Sequence, residues 1–203
     1  DRRGIRMSLI KLVLIGLVVT TLTACSKTVQ WEEEVPLNTG ETIWVKRAVV
    51  YKLQGAGGNP FDMAYRPDWT ERMEFSWRSV DYTYEGAALV FVLAISPTEQ
   101  PVLVARASDK NWELRNGYGC TKPSYVQLMP DATGQKWMWP SSIEPWLFGL
   151  TANLMLQRRK PEEMKNRYSF LDQASEDSVV RAQTPSLAKV DSLFVINDCK
   201  GKI

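Results

Sequence analysis

Ser186-Leu-Ala-Lys189 sets a serine and a lysine three positions apart. On a helix that spacing brings both to one face, where the amine can take the hydroxyl proton and turn the oxygen into a nucleophile. The S-D-N and K-T-G segments that complete such a centre are absent from the chain, so the pair stands alone. There is no histidine at all, which removes the commonest general base and the commonest metal ligand. Gln54-Gly-Ala-Gly-Gly-Asn-Pro60 is glycine-rich, but it lacks the lysine and hydroxyl of a phosphate-binding loop and the G-x-G-x-x-G spacing of a dinucleotide site. It reads as a surface loop. Glu32-Glu33-Glu34 is consecutive, so in a strand its carboxylates alternate between faces; that suits a solvated edge better than a paired acid and base. The remaining carboxylates leave glycosidase-like chemistry open without singling out a pair.

Aromatic residues offer binding rather than chemistry. Eight tryptophans stand at 31, 44, 69, 77, 112, 137, 139 and 146. Trp137-Met-Trp139 in a strand puts both rings on one face. Exposed, that face is a candidate aromatic binding surface for a sugar or a partner protein; buried, it is core, the commoner fate of large aromatics. Arg158-Arg159-Lys160 is a small basic cluster, read as a solvated loop before any contact with anionic headgroups or wall polymer.

The N-terminal segment carries the sharpest signal. From Met7 the chain has a basic start, an uncharged and largely apolar run from Leu12 to Ala24, and at its end Leu22-Thr23-Ala24-Cys25. This is the order of a secretory signal, and the run is short for a bilayer span. Residues 1–6 read as upstream of the natural start at Met7. Leu22-Thr23-Ala24-Cys25 resembles the lipobox of bacterial lipoproteins. The resemblance covers residues 7–26 and implies cleavage before Cys25, diacylglycerol on its sulfur and an acyl chain on its new amino group. Ser26 follows, where inner-membrane members of that family typically carry aspartate. The resemblance therefore implies the periplasmic face of an outer membrane. Acyl chains are worth about 0.8 kcal/mol per buried methylene, and stable anchoring takes at least two of them.

Charge and cysteines fit that compartment. The formal charge of +2 comes from the leader: Arg2, Arg3, Arg6 and Lys11 stand there against Asp1, leaving 21 basic and 22 acidic residues in the rest. A near-neutral mature chain gives no electrostatic case for nucleic acid. With Cys25 acylated, Cys120 and Cys199 remain as an even pair in an oxidising compartment, and a disulfide between them is expected; two buried free thiols are the other reading. None of the three cysteines has metal-site spacing, so neither a metal nor a cofactor is expected.

The elements that must hold these residues are mostly strands. Val29–Val35 and Glu41–Val49 read as strands around a Pro36–Gly40 turn, and Leu53–Asp68 as a long loop. Met73, Phe75 and Trp77 alternate with polar residues. Ala87–Ile95 is continuously apolar, strand or helix by pattern alone, and Pro101–Ala105 follows as its hairpin partner. Ser124–Met129 and Gln135–Trp139 are further strands. Trp146, Leu150 and Leu154 suggest a helix after Pro145, and Met164, Tyr168 and Leu171 a second one opened by Pro161. Ser192–Asn197 reads as a closing strand. The expected layout is a signal over residues 1–24, a lipidated tether over 25–30, and a single mainly β domain over 31–203. Its architecture is an antiparallel sandwich or partly open barrel with one or two short helices near 145–175. The expected role is binding or scaffolding in the envelope, on a glycan or protein partner. The alternative is an envelope enzyme acting on glycan or peptide through carboxylates or through Ser186 and Lys189.

Overall fold

Val29, Trp31, Glu33 and Val35 form one row of the first strand, and all four are buried while the residues between them are exposed or half-buried. Period-two burial of this kind needs a sheet with one wet face and one packed face. The computed structural model describes residues 26–56, 59–106, 122–140, 142–156 and 161–195. Strands β1 (Ser26–Pro36), β2 (Thr42–Ala56), β3 (Asn59–Trp77) and β4 (Val80–Gly86) form an antiparallel meander. The two-residue β9 (Arg167–Tyr168) adds in parallel to β1, giving a five-stranded sheet in the order β4-β3-β2-β1-β9. A second sheet runs β5 (Leu89–Ile95), β6 (Pro101–Arg106), β7 (Tyr125–Pro130) and β8 (Trp137–Met138) in that order. The fold is mainly β and sandwich-like, as the alternation in the sequence predicts.

The main core lies between the sheets. Val45, Met73, Phe75 and Trp77 from the first sheet meet Leu93, Ile95, Leu103 and Val126 from the second. The other face of the second sheet is covered as well: Phe91, Val92, Val102 and Val104 pack under Leu147, Leu156, Leu187 and Val190. Burial on both faces is why the β5 sequence is a continuous apolar run rather than an alternating one. The cover is made by irregular chain and three short helices, α1 (Phe170–Glu176), α2 (Ser178–Gln183) and α3 (Pro185–Ala188). Helix α1 opens with a capping box in which Ser169 Oγ takes the Asp172 N–H and the Asp172 carboxylate takes the Ser169 N–H.

Four expectations are corrected. Leu53–Asp68 is not a loop: β2 and β3 stay paired through Leu53↔Tyr65, Gln54↔Ala64 and Gly55↔Met63, cross-strand pairing overriding the local turn signals. No helix follows Pro145 or Pro161. Each proline opens only a three-residue 3-10 turn, and the helices come later, at 170–188. Of the expected strand Ser192–Asn197, residues 192–195 form a turn and irregular chain, and 196–197 lie outside the described residues. Finally, residues 26–30 are not a tether, because β1 is paired from Ser26 onward.

Side chains close the exposed strand edges. Asn153 and Asn38 sit along β5, exchanging hydrogen bonds with the backbone of Leu93 and Ile95 respectively. At the far edge, Thr83 of β4 donates its N–H to Gly134 O at 3.2 Å and accepts Trp137 Nε1–H at 2.7 Å. Gly134 has φ +72°, and a Cβ there would lie 3.0 Å from Asp81 O, so only glycine allows this approach.

Candidate functional site

The uncovered face of the five-stranded sheet is the feature best placed to meet a partner. Residues pointing outward from five strands line up through the registers Thr83↔Glu74, Glu74↔Lys46, Lys46↔Glu32 and Glu32↔Arg167. This row crosses the whole sheet and alternates in charge. Glu74 takes Arg72 at 2.7 Å and Lys46 at 3.9 Å, and Glu32 takes Arg167 at 3.6 Å. Such exposed pairs contribute little stability, about 0–1 kcal/mol each. The paired side chains line two adjoining hollows of about 320 and 340 Å³, which share Lys46 and Glu74 as a common wall. Trp44 stands at the end of the second hollow, 42% exposed, with the Arg167 guanidinium 3.8 Å from its ring centroid. Signs are balanced and the carboxylates Glu32 and Glu74 already hold cations. The face can therefore donate and accept hydrogen bonds to a polar ligand.

Beneath this face lies a buried charge cluster that the sequence reading missed. Arg47 Nη1 donates to Glu33 Oε1 at 2.8 Å and to Met155 O at 2.8 Å, Nε donates to Glu71 Oε1 at 2.5 Å, and Nη2 also pairs with Glu71. Trp31 Nε1 donates to Glu33 Oε2 at 3.1 Å, and the guanidinium lies 5.2 Å from the Trp31 ring. All three charged side chains are at most 1% exposed. Burial pushes the Glu33 carboxyl above the usual range, with Arg47 opposing it; the two carboxylates hold the Arg47 guanidinium charged against the same burial. Closed from solvent and bonded on every side, the cluster pins β1, β2 and β3 to the 155 segment. Glu33 is thus no part of a solvated edge. The signal was present in the sequence: Glu33 falls in the inward row of Val29, Trp31 and Val35, and Arg47 in that of Val45 and Val49.

Trp137 and Trp139 do share a face, as their spacing predicts, and that face is turned to the core. Both are partly buried against the inter-sheet cluster, with Trp137 at 6.0 Å edge-on to Tyr84 and 6.3 Å from Phe75, while Met138 between them faces solvent. Ser186 and Lys189 do not form a helical pair. Helix α3 ends at Ala188, and Lys189 is extended at φ −150°, ψ 145°, bridging to Thr151. The Ser186 carbonyl accepts the Tyr125 hydroxyl at 2.9 Å, a structural bond. Cys25, Cys120, Cys199 and the Arg158–Lys160 cluster lie outside the described residues. Among the described residues no group of acidic or cysteine side chains could hold a metal ion, and no helix is long and apolar enough to cross a membrane. Compared with protein-family models, with curated proteins and with solved structures, the chain matches none.

Proposed function

We propose that this is a lipid-anchored cell-envelope protein, held by Cys25 at the periplasmic face of an outer membrane. Its β domain binds or scaffolds without catalysing a reaction. The observation that carries the binding role is the outward row Thr83–Glu74–Lys46–Glu32–Arg167 with Trp44 at its end. A face of mixed sign and one aromatic ring suits a glycan or a polar protein surface, and its balance of charge disfavours a polyanion such as nucleic acid. Anchoring is supported by the basic start, the apolar run and the lipobox-like Leu22-Thr23-Ala24-Cys25.

Co-sedimentation of the full-length protein with isolated cell-wall sacculi tests the glycan arm, and cross-linking from the outward face in intact cells tests the protein arm. Trp44→Ala and Lys46→Glu should weaken whichever contact is found while leaving the fold intact. Turnover of sacculi or peptide by the purified protein would overturn the non-catalytic role. Binding undiminished in both variants would move the site off this face.

A further inference from the structure

The inward row of β2 continues beyond the body of the protein. Val49 and Tyr51 are buried in it, and Leu53 follows on the same face, paired with Tyr65 of β3; Gly55 is paired in turn with Met63. Among the described residues the core cluster ends at Tyr51, and Leu53 beyond it is half-buried. Met63 is 49% exposed and Tyr65 39% exposed. The opposite face of this hairpin carries Lys52 directly across from Arg66. The hairpin is thus amphipathic, with apolar and aromatic groups on one side and cations on the other.

Its position relative to the N-terminus is fixed by register. Ser26 pairs with Lys52, and β1 runs from there into the body. The N-terminal end of β1 thus lies on the hairpin side of the sheet, at the Ser26–Lys52 rung, and covalent geometry keeps the preceding Cα within about 3.8 Å of Ser26. From that rung β2 continues to Ala56, a reach of about 13 Å at about 3.3 Å per residue. We infer that the projecting β2–β3 hairpin lies in the interface of the membrane that holds the anchor, with Leu53, Met63 and Tyr65 set into the headgroup–acyl boundary. This inference rests on Cys25 being the acylated N-terminus. With no tether between lipid and strand, the rung is held at the headgroups, and an arm of this length has to run along or into an interfacial layer about 5–10 Å deep. Tyrosine prefers that layer because its ring is apolar and its hydroxyl polar. In sequence, residues 52–68 hold two basic residues, Lys52 and Arg66, and two acidic ones, Asp62 and Asp68, so the segment carries no net charge. Apolar insertion, rather than net charge, is then the driving term, and the contact does not require anionic lipid. The opposite end of the sheet, at the β3–β4 turn, is carried away from the membrane.

The test places a photoreactive benzophenone amino acid at Tyr65, or at Val80 as the control on the far turn, in the full-length protein in intact cells. After irradiation, phospholipid adducts are read by mass spectrometry, and the N-terminal peptide of the same sample is weighed. Lipid adducts at position 65, absent at position 80, support the inference. An acylated Cys25 with no lipid adduct at 65, or with adducts equal at both positions, overturns the hairpin contact and leaves the anchor standing. Lipid adducts at 65 on a chain without acyl groups keep the contact and remove the anchor. Neither acyl group nor adduct overturns both.

Discussion

Asn153 faces Leu93 as a neighbouring strand would: its Oδ1 accepts the Leu93 N–H at 2.9 Å and its Nδ2 donates to the Leu93 carbonyl at 2.7 Å. The same Nδ2 reaches Pro36 O at 2.8 Å, tying the end of β1 to the edge of β5. One side-chain amide thus satisfies a rung of an edge strand and blocks it against another chain. In Asn153→Leu both backbone groups of Leu93 lose their partner. At about 1–3 kcal/mol per buried group left unpaired, the expected loss is about 2–4 kcal/mol. Urea denaturation should show a lower midpoint, and light scattering should show association that rises with concentration. An unchanged midpoint would mean that water or a shifted backbone replaces the amide.

The buried Arg47 predicts an asymmetry between breaking the cluster and removing it. Arg47→Met leaves Glu33 and Glu71 facing each other without a cation, and should cost about 3–5 kcal/mol. Replacing all three charges together, as Arg47→Met with Glu33→Leu and Glu71→Leu, removes the desolvation burden along with the attraction and should recover most of that loss. Denaturant unfolding of the single and triple variants decides it. A triple variant no more stable than Arg47→Met would show that the bond from Arg47 to Met155 O, rather than charge pairing, holds the 155 segment in place.

Tyr125 gives a pH dependence with a defined sign. Burial pushes its hydroxyl up to about 12; it donates to Ser186 O and accepts the Asp191 N–H at 3.3 Å. A tyrosine in the unfolded chain titrates near 10. The folded value is raised, so the neutral form is favoured by folding. Its contribution is complete below about pH 10 and is lost as pH rises from there through about 12. Stability measured from pH 9 to 12 should fall, and Tyr125→Phe should flatten that slope while lowering stability at neutral pH by about 1–2 kcal/mol for the lost hydrogen bonds. An equal slope in the variant would assign the alkaline loss to other groups.

What the sequence made legible was whatever one face of one strand decides. Met73, Phe75 and Trp77 alternate, and all three are buried; the apolar run around Val92 belongs to a strand covered on both faces. What it hid depended on partners far along the chain. The β2–β3 ribbon was obscured because Gly55, Pro60 and Pro67 signal turns locally while cross-strand pairing overrides them. Trp146, Leu150 and Leu154 have helical spacing but different destinations: Leu154 packs between the sheets, while Trp146 and Leu150 pack over the outer face of the second one. The outward row ending at Arg167 could not be read at all, because its last member reaches the sheet through a two-residue strand more than 120 positions after β1.

The Cys120–Cys199 pairing is the last expectation, and the described residues around it bear on reach. Ser124 N–H donates to Phe194 O at 2.8 Å, and the Tyr125 and Phe194 rings lie 5.2 Å apart. Cys120 stands four residues before that contact and Cys199 five residues after it. At about 3.3–3.6 Å per extended residue, either segment can close the distance to the other. The bond would link positions 79 apart, and the chain-entropy model then gives about 4.5 kcal/mol of stabilisation before strain. Alkylation of the unfolded, unreduced protein should label neither Cys120 nor Cys199, and reduction should lower the urea midpoint by an amount equivalent to about 2–5 kcal/mol. Full labelling of both thiols would overturn the pairing. The Ser124–Phe194 hydrogen bond, the Tyr125–Phe194 ring packing and the Arg106 guanidinium over Phe194 would then hold the 194 segment without it, and Tyr125→Ala should open that segment to proteolysis.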